Sequence, residues 1–332
     1  MIALPHIYVL GGIFFAATAW FSGRDAANPH RLRAAGFWAL LALSFLAGDR
    51  LGDLGNGVLV VALAVLATLG LGKGGAATST VEERRASALR HGDKLFLVAL
   101  VIPTTALLGT LAAKHTHWGA KLVDPAQATL VSLVLGVIFA LAVVALWLRP
   151  RFERVDASGA RRADPLVPLR EGARLVGTVG WAAILPQMLA SLGVVLLAAG
   201  VGKQVGLLFS EHLALDTRFA AVTAYCVGMA FFTVLMGNAF AAFPVMTAAV
   251  GLPVVVQRLG GDPAAVCAIG MLSGFCGTLL TPMAANFNIV PANLLDLPDR
   301  DAPVNSVIRT QAPTAFVLLA ANILLMYALA FL

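Results

Sequence analysis

The chain has 332 residues, 59% of them hydrophobic and only 12% charged, with a formal net charge of +6. A soluble domain carries about a quarter charged residues, so this composition excludes a soluble globular protein and places the chain in a lipid bilayer. The three cysteines, Cys226, Cys267 and Cys276, lie in apolar runs without framework spacing and argue against a disulfide scaffold.

At about 20 apolar residues per crossing, the hydrophobic runs place spans near Ile2–Phe21, Ala34–Gly48, Leu54–Gly72, Leu95–Ala112 and Ala126–Leu148. Further spans fall near Thr178–Gly200, Phe219–Met236, Ala264–Leu280 and Pro313–Leu332. The first run lacks the basic flank and small-residue cleavage site of a signal peptide, so it is read as a retained helix. Asn238–Val256 contains Pro244, Gly251 and Pro253, and is either a tenth span or a re-entrant hairpin. The runs are continuously apolar and do not alternate as barrel strands must. The expected fold is all-α and polytopic, with nine or ten transmembrane helices and a discontinuous helix in the C-terminal half. It is read as one transmembrane domain: five spans in residues 1–148, a basic loop at 149–177, and the remaining spans at 178–332.

Lys and Arg are retained on the cytoplasmic side. Arg24, Arg31 and Arg33 follow the first span, and Lys73, Arg84, Arg85, Arg90 and Lys94 follow the third. Arg149, Arg151, Arg154, Arg161, Arg162, Arg170 and Arg174 follow the fifth. With one crossing per span these connections share a side, so the N-terminus is expected outside a bacterial inner membrane. The bases are dispersed and mixed with acids such as Glu82, Glu83, Glu153 and Asp156, which argues against a nucleic-acid partner. Ser79-Thr80-Val81-Glu82 fits a capping box that opens a short basic helix.

The sharpest signal is Gly277–Leu295, GTLLTPMAANFNIVPANLL. Hydrocarbon offers no water to free backbone groups, so non-helical backbone at membrane depth survives only packed in protein or lining a cavity. Pro282 removes an amide donor and biases Thr281 away from helix. Asn286 and Asn288 bring donors and acceptors to the same place, and Pro291 lies where a short helix can restart with Asn288 as its cap. The preceding segment repeats the device: Gly237-Asn238 follows an apolar span, and small residues lead to Pro244 and Thr247. Successive breaks of this kind build the midplane sites of secondary transporters. There, half-helix N-termini face anionic groups and unwound carbonyls hold a cation. Asn238, Thr247, Thr278, Thr281, Asn286 and Asn288 are the candidate substrate- or ion-binding residues, with Gly237, Pro244, Pro282 and Pro291 as the breaks. The alternative for each break is packing or interhelical hydrogen bonding.

GNAFAAFPVMTAAVGLP, GMLSGFCGTLLTPMAANFNIVPANLL and the N-terminal NPHRLRAAGFWALLALSFLAGD resemble a bacterial inner-membrane family catalogued as a domain of unknown function. The resemblance covers essentially the whole chain. Members of that family are described as one of two membrane subunits of a transporter for 5-oxoproline (pyroglutamate). The resemblance therefore implies a second membrane subunit as partner and a small carboxylate as substrate.

Other polar residues have structural readings. His115-Thr116-His117 has no carboxylate or Cys beside it and reads as interfacial loop rather than a metal pair. Glu211-His212 reads as the end of a solvated short helix, Lys203 as a snorkelling anchor, and Asp49, Arg50 and Asp53 as a solvated turn. No HExxH, GxSxG or P-loop occurs and no acid lies in the middle of a span, so no catalytic residues, cofactor or metal are assigned. The coupling ion is Na⁺ or H⁺, and the lack of an intramembrane carboxylate favours Na⁺. A scaffold supporting a partner transporter is the alternative function, with an intramembrane enzyme the more distant one.

Overall fold

The computed structural model describes residues 1–72, 79–148, 153–155, 161–212, 215–295, 297 and 301–332. Lys73, Arg149, Arg151 and Asp156 lie outside the described residues. Among the described residues the fold is helical apart from one pair of short strands, in which β1 (Glu153–Val155) pairs antiparallel with β2 (Arg161–Ala163). The chain divides into two compact units, Met1–Gly180 and Trp181–Leu332. Among the described residues, seven helices are long and apolar enough to cross a membrane, or eight when one bent pair is counted as a span.

In the first unit, α1 (Leu4–Arg24) packs on α2 (Arg31–Thr68) through a cluster of rings. Phe15 stacks on Trp38 at 5.7 Å, and Phe37 meets Trp38 edge-on at 4.9 Å. The 38 residues of α2 are not one rod. At Gly52, φ is 61° and ψ is −177°, a region essentially reserved for glycine, and the chain folds back there. Gly36 consequently faces Leu66, Asn56 Nδ2 donates to Gly48 O at 2.9 Å, and Arg33 Nη1 donates to Leu69 O at 2.8 Å. This hairpin corresponds to the two separate runs at Ala34–Gly48 and Leu54–Gly72, with Asp49, Arg50 and Asp53 flanking the turn.

After α2, α3 (Val81–His91) is the expected short basic helix, but its capping box sits one residue later than the sequence pattern placed it. Thr80 Oγ1 accepts from Glu83 N at 3.1 Å, and Glu83 Oε2 accepts from Thr80 N at 3.0 Å. Next come α4 (Lys94–His115), α5 (His117–Leu122) and α6 (Ala128–Val143), with α4 and α6 packed together. His115 closes α4 and His117 opens α5. Ile2 bridges to Val123, donating to Leu122 O at 2.6 Å and accepting from Asp124 N at 3.1 Å. The N-terminus and the α4–α6 connection therefore share one end of this unit. The segment read as a basic loop holds a further helix, α7 (Val167–Val179). It packs on α1, with Gly172 against Phe14 and the Arg170 guanidinium 4.9 Å from the Phe21 ring centre.

The second unit begins with α8 (Leu185–Ala198) and α9 (Val201–His212), bent by 71° between Ser191–Ala198 and Val201–Phe209. The run Thr178–Gly200 is thus not one uninterrupted span: it contains the end of α7, a 3₁₀ turn at Gly180–Ala183, and α8. Following these are α10 (Arg218–Met236), α11 (Ala239–Met246, continuing as a π-helix over Thr247–Arg258), α12 (Pro263–Thr278), α13 (Val290–Leu294) and α14 (Pro303–Leu329). Asn238–Val256 is therefore not a hairpin. After the cap at Asn238 it forms a continuous helical stretch, Ala239–Arg258, long and apolar enough to cross a membrane. Pro244 and Pro253 remove amide donors, and the wider π winding absorbs the change, as Leu259 N donates to Val254 O five residues back. α14 starts ten residues before the apolar run suggested and carries Pro313 inside it.

Close packing of α10 on α12 follows from Gly270, Gly274 and Gly277, which fall on one helix face. They meet Tyr225, Met229 and the backbone of Ala230 respectively. Val222, Met229, Met246, Val250 and Val266 form the fully buried core of this unit.

Candidate functional site

Both interruptions seen in the sequence lie in the second unit, and they touch. α10 ends at Gly237, whose left-handed φ of 76° closes the helix by donating its N–H to Thr233 O at 2.8 Å. A side chain at Gly237 would also collide with Met283, on the other break. Asn238 is extended and caps α11, with Oδ1 accepting from Phe240 N at 2.7 Å.

α12 stops at Thr278, and helical winding resumes only as a π turn at Ala285–Ile289 that leads into α13. The break expected near Thr281–Asn288 is therefore present. Asn288, fully buried, holds it shut from within. Its Nδ2 donates to Thr278 O at 2.8 Å and to Thr281 O at 2.7 Å, carbonyls that the stopped helix leaves without helical partners. Its Oδ1 accepts from Gln311 Nε2 of α14 at 3.1 Å, and the same Nε2 lies 3.2 Å from Phe287 O. Asn288 thus caps the end of α12. It is not the N-cap of α13, a position held by Ile289 without a side-chain bond.

Around this junction lies a cavity of about 30 Å³. It is lined by the polar residues Asn238, Thr278 and Asn286, by the small residues Gly237, Ala284 and Ala285, and by the apolar Leu185, Leu189, Phe240, Phe275 and Phe287. Thr278 is buried, and its hydroxyl donates to Phe275 O at 2.6 Å. Asn286 is exposed. No titratable side chain is among the described residues lining the cavity. Such a space holds about two waters or one ion, and it presents neutral oxygens and amide groups rather than charge.

The six candidate side chains therefore part company. Asn238, Thr278 and Asn286 meet at the cavity. Asn288 and Thr281 lie behind it, where Thr281 is buried and its Oγ1 accepts from Met283 N at 3.3 Å. Thr247 is elsewhere, its Oγ1 2.9 Å from the Tyr225 hydroxyl inside the core. Pro244 is internal to α11, Pro282 is exposed in the turn, and Pro291 opens α13. The sequence reading missed Gln311, which locks Asn288. A lone Gln in an apolar helix eight residues after Pro303 carries no local pattern that points to a partner 23 residues away.

A family model described as "Protein of unknown function (DUF979)" matches residues 5–331, and the chain belongs to that family. No curated protein and no solved structure matches it.

Proposed function

We propose that this DUF979 member is one subunit of a secondary transporter that takes up a small carboxylate in the bacterial inner membrane. By the resemblance of its broken segments to the transporter subunits described above, the carboxylate is 5-oxoproline. One observation carries the reading: two successive helix interruptions, after α10 and after α12, close around a single cavity carrying three uncharged polar side chains. Packing alone would call for polar groups that satisfy one another, as Asn288 does. Asn286 instead stands exposed at the cavity.

The same reading takes α2 as two crossings and the bent α8–α9 pair and α12 as further crossings, giving ten in all, with the N-terminus outside. Alternating access then requires the partner subunit, because a cavity of about 30 Å³ is too small to enclose a five-membered cyclic acid. The carboxylate would bind where this chain and the second membrane protein meet. That size also favours a second reading, in which this chain supports a partner that binds the substrate alone.

Uptake of radiolabelled 5-oxoproline into proteoliposomes separates the readings. The expected result is transport by the chain together with the membrane protein that copurifies with it, and none by either alone. Equal transport by the lone chain would overturn the two-subunit proposal. Unchanged substrate affinity of the complex in Asn286→Ala would favour the supporting role.

A further inference from the structure

The cavity between the two breaks has a size and chemistry that fit a cation better than the substrate. We propose that it is a Na⁺ site, formed by the side-chain oxygens of Asn238, Thr278 and Asn286. This deepens the transporter reading, on which the coupling role of the ion rests, although the binding of the ion does not.

Three features carry the assignment. The first is volume: about 30 Å³ admits a dehydrated alkali ion or about two waters and excludes an organic acid. The second is the state of the oxygens. The Thr278 hydroxyl commits its hydrogen to Phe275 O at 2.6 Å, so toward any other partner it can only accept. Asn238 Oδ1 accepts one bond, from Phe240 N, and a carbonyl oxygen retains a second lone pair. Both oxygens therefore keep acceptor capacity for a cation.

The third is the absence of carboxylate, imidazole or thiol from the described lining residues. Ca²⁺ sites are built with carboxylates, and transition metals take imidazole or thiolate. Neutral carbonyl and hydroxyl oxygens at interrupted helices suit Na⁺. A proton has no group here to ride on. Two carbonyl ends, of α10 and α12, lie beside the cavity against the single N-terminal end of α11 at Asn238, and Asn288, by holding Thr278 O and Thr281 O, fixes the geometry of the unwound segment.

The test is direct binding with the full chain in lipid nanodiscs, using ²²Na⁺ and a thermal-unfolding series in which Na⁺ replaces choline or K⁺. Saturable ²²Na⁺ binding and a Na⁺-dependent rise in Tm, absent with K⁺, are expected. Thr278→Val and Asn286→Ala should raise the half-saturating Na⁺ concentration about tenfold or more, the scale of one lost bond to a charged partner. Asn56→Ala, in the first unit, should leave it unchanged. Asn286 is exposed, so its variant keeps the test decisive if Thr278→Val fails to fold. Absence of Na⁺ binding, or binding unaltered in Asn286→Ala, would overturn the site. Na⁺ binding without 5-oxoproline uptake by the complex would support the ion site and sink the transporter reading. Uptake driven by a pH gradient in Na⁺-free medium, with no ²²Na⁺ binding, would do the reverse.

Discussion

Asn286 and Asn288 are two residues apart and chemically identical, yet the fold gives them different work. Asn288 is fully buried with both faces of its amide engaged, to Thr278 O, Thr281 O and Gln311. Asn288→Ala takes the amide donor from Thr278 O, at about 1–3 kcal/mol, and leaves Thr281 O with the longer bond from Ala284 N at 3.3 Å. The expected outcome is a clear fall in Tm and in the folded fraction recovered from membranes. Gln311→Ala should lower Tm by less, because the amide bonds to Thr278 O and Thr281 O survive it. Asn286 is exposed at the cavity, so Asn286→Ala should leave Tm in choline buffer unchanged and alter only ligand binding. Equal loss of stability in the two alanine variants would contradict this division.

Two elements depend on glycine for different reasons. The α2 hairpin turns at Gly52, whose φ of 61° and ψ of −177° admit few other residues, while nothing lies within 4 Å of where a side chain would stand. Gly52→Ala therefore isolates backbone strain, worth about 1–3 kcal/mol. Gly57→Ala is the matched control: it is helical with equally open surroundings, and should be neutral or stabilising by up to about 1 kcal/mol. In α12 the constraint is contact. A methyl at Gly277 would run into the backbone oxygen of Ala230, so Gly277→Ala must push α10 from α12 at about 1–3 kcal/mol. Because Thr278 is the next residue, its Na⁺ response should weaken as well. Thermal unfolding of the three variants in one detergent compares them directly.

Across the first unit, the hairpin in α2 decides which connections lie together. Ile2 is bonded to Leu122 and Asp124, while Asn28 Nδ2 donates to Leu71 O at 3.0 Å. The N-terminus thus joins the α4–α6 connection at one end, and the α1–α2 connection joins the residues after α2 at the other. With Lys and Arg retained inside, the orientation proposed above makes the end holding Arg24, Arg31 and Arg33 the cytoplasmic one. Single cysteines at Ala86 in α3 and at Ala27 should react with an impermeant maleimide only from the cytoplasmic face, and one at Ala120 in α5 only from outside. The native cysteines are buried or partly so, and are replaced first. Labelling of Ala86→Cys from outside would reverse the orientation.

The composition and the continuity of the apolar runs determined a helical chain whose long apolar helices suit a membrane, because such an excess of apolar residues has no stable place in water. The two breaks were legible too: Gly237-Asn238 and Thr281-Pro282 withhold donors or introduce amides where a helix in hydrocarbon has nothing else to bond to. Local sequence could not say which polar group answers which orphaned carbonyl. Asn288 is a short-range partner, but Gln311 comes from a helix 23 residues on, and only folding brings it there. Nor could it show that Pro244 and Pro253 would be accommodated by π winding rather than by a turn, since proline specifies a missing bond and neighbouring helices decide how the gap is filled. The meeting of Asn238 with Thr278 and Asn286 belongs to the tertiary structure for the same reason. The glycines of α12 let α10 approach closely enough to bring the two interrupted ends to one cavity.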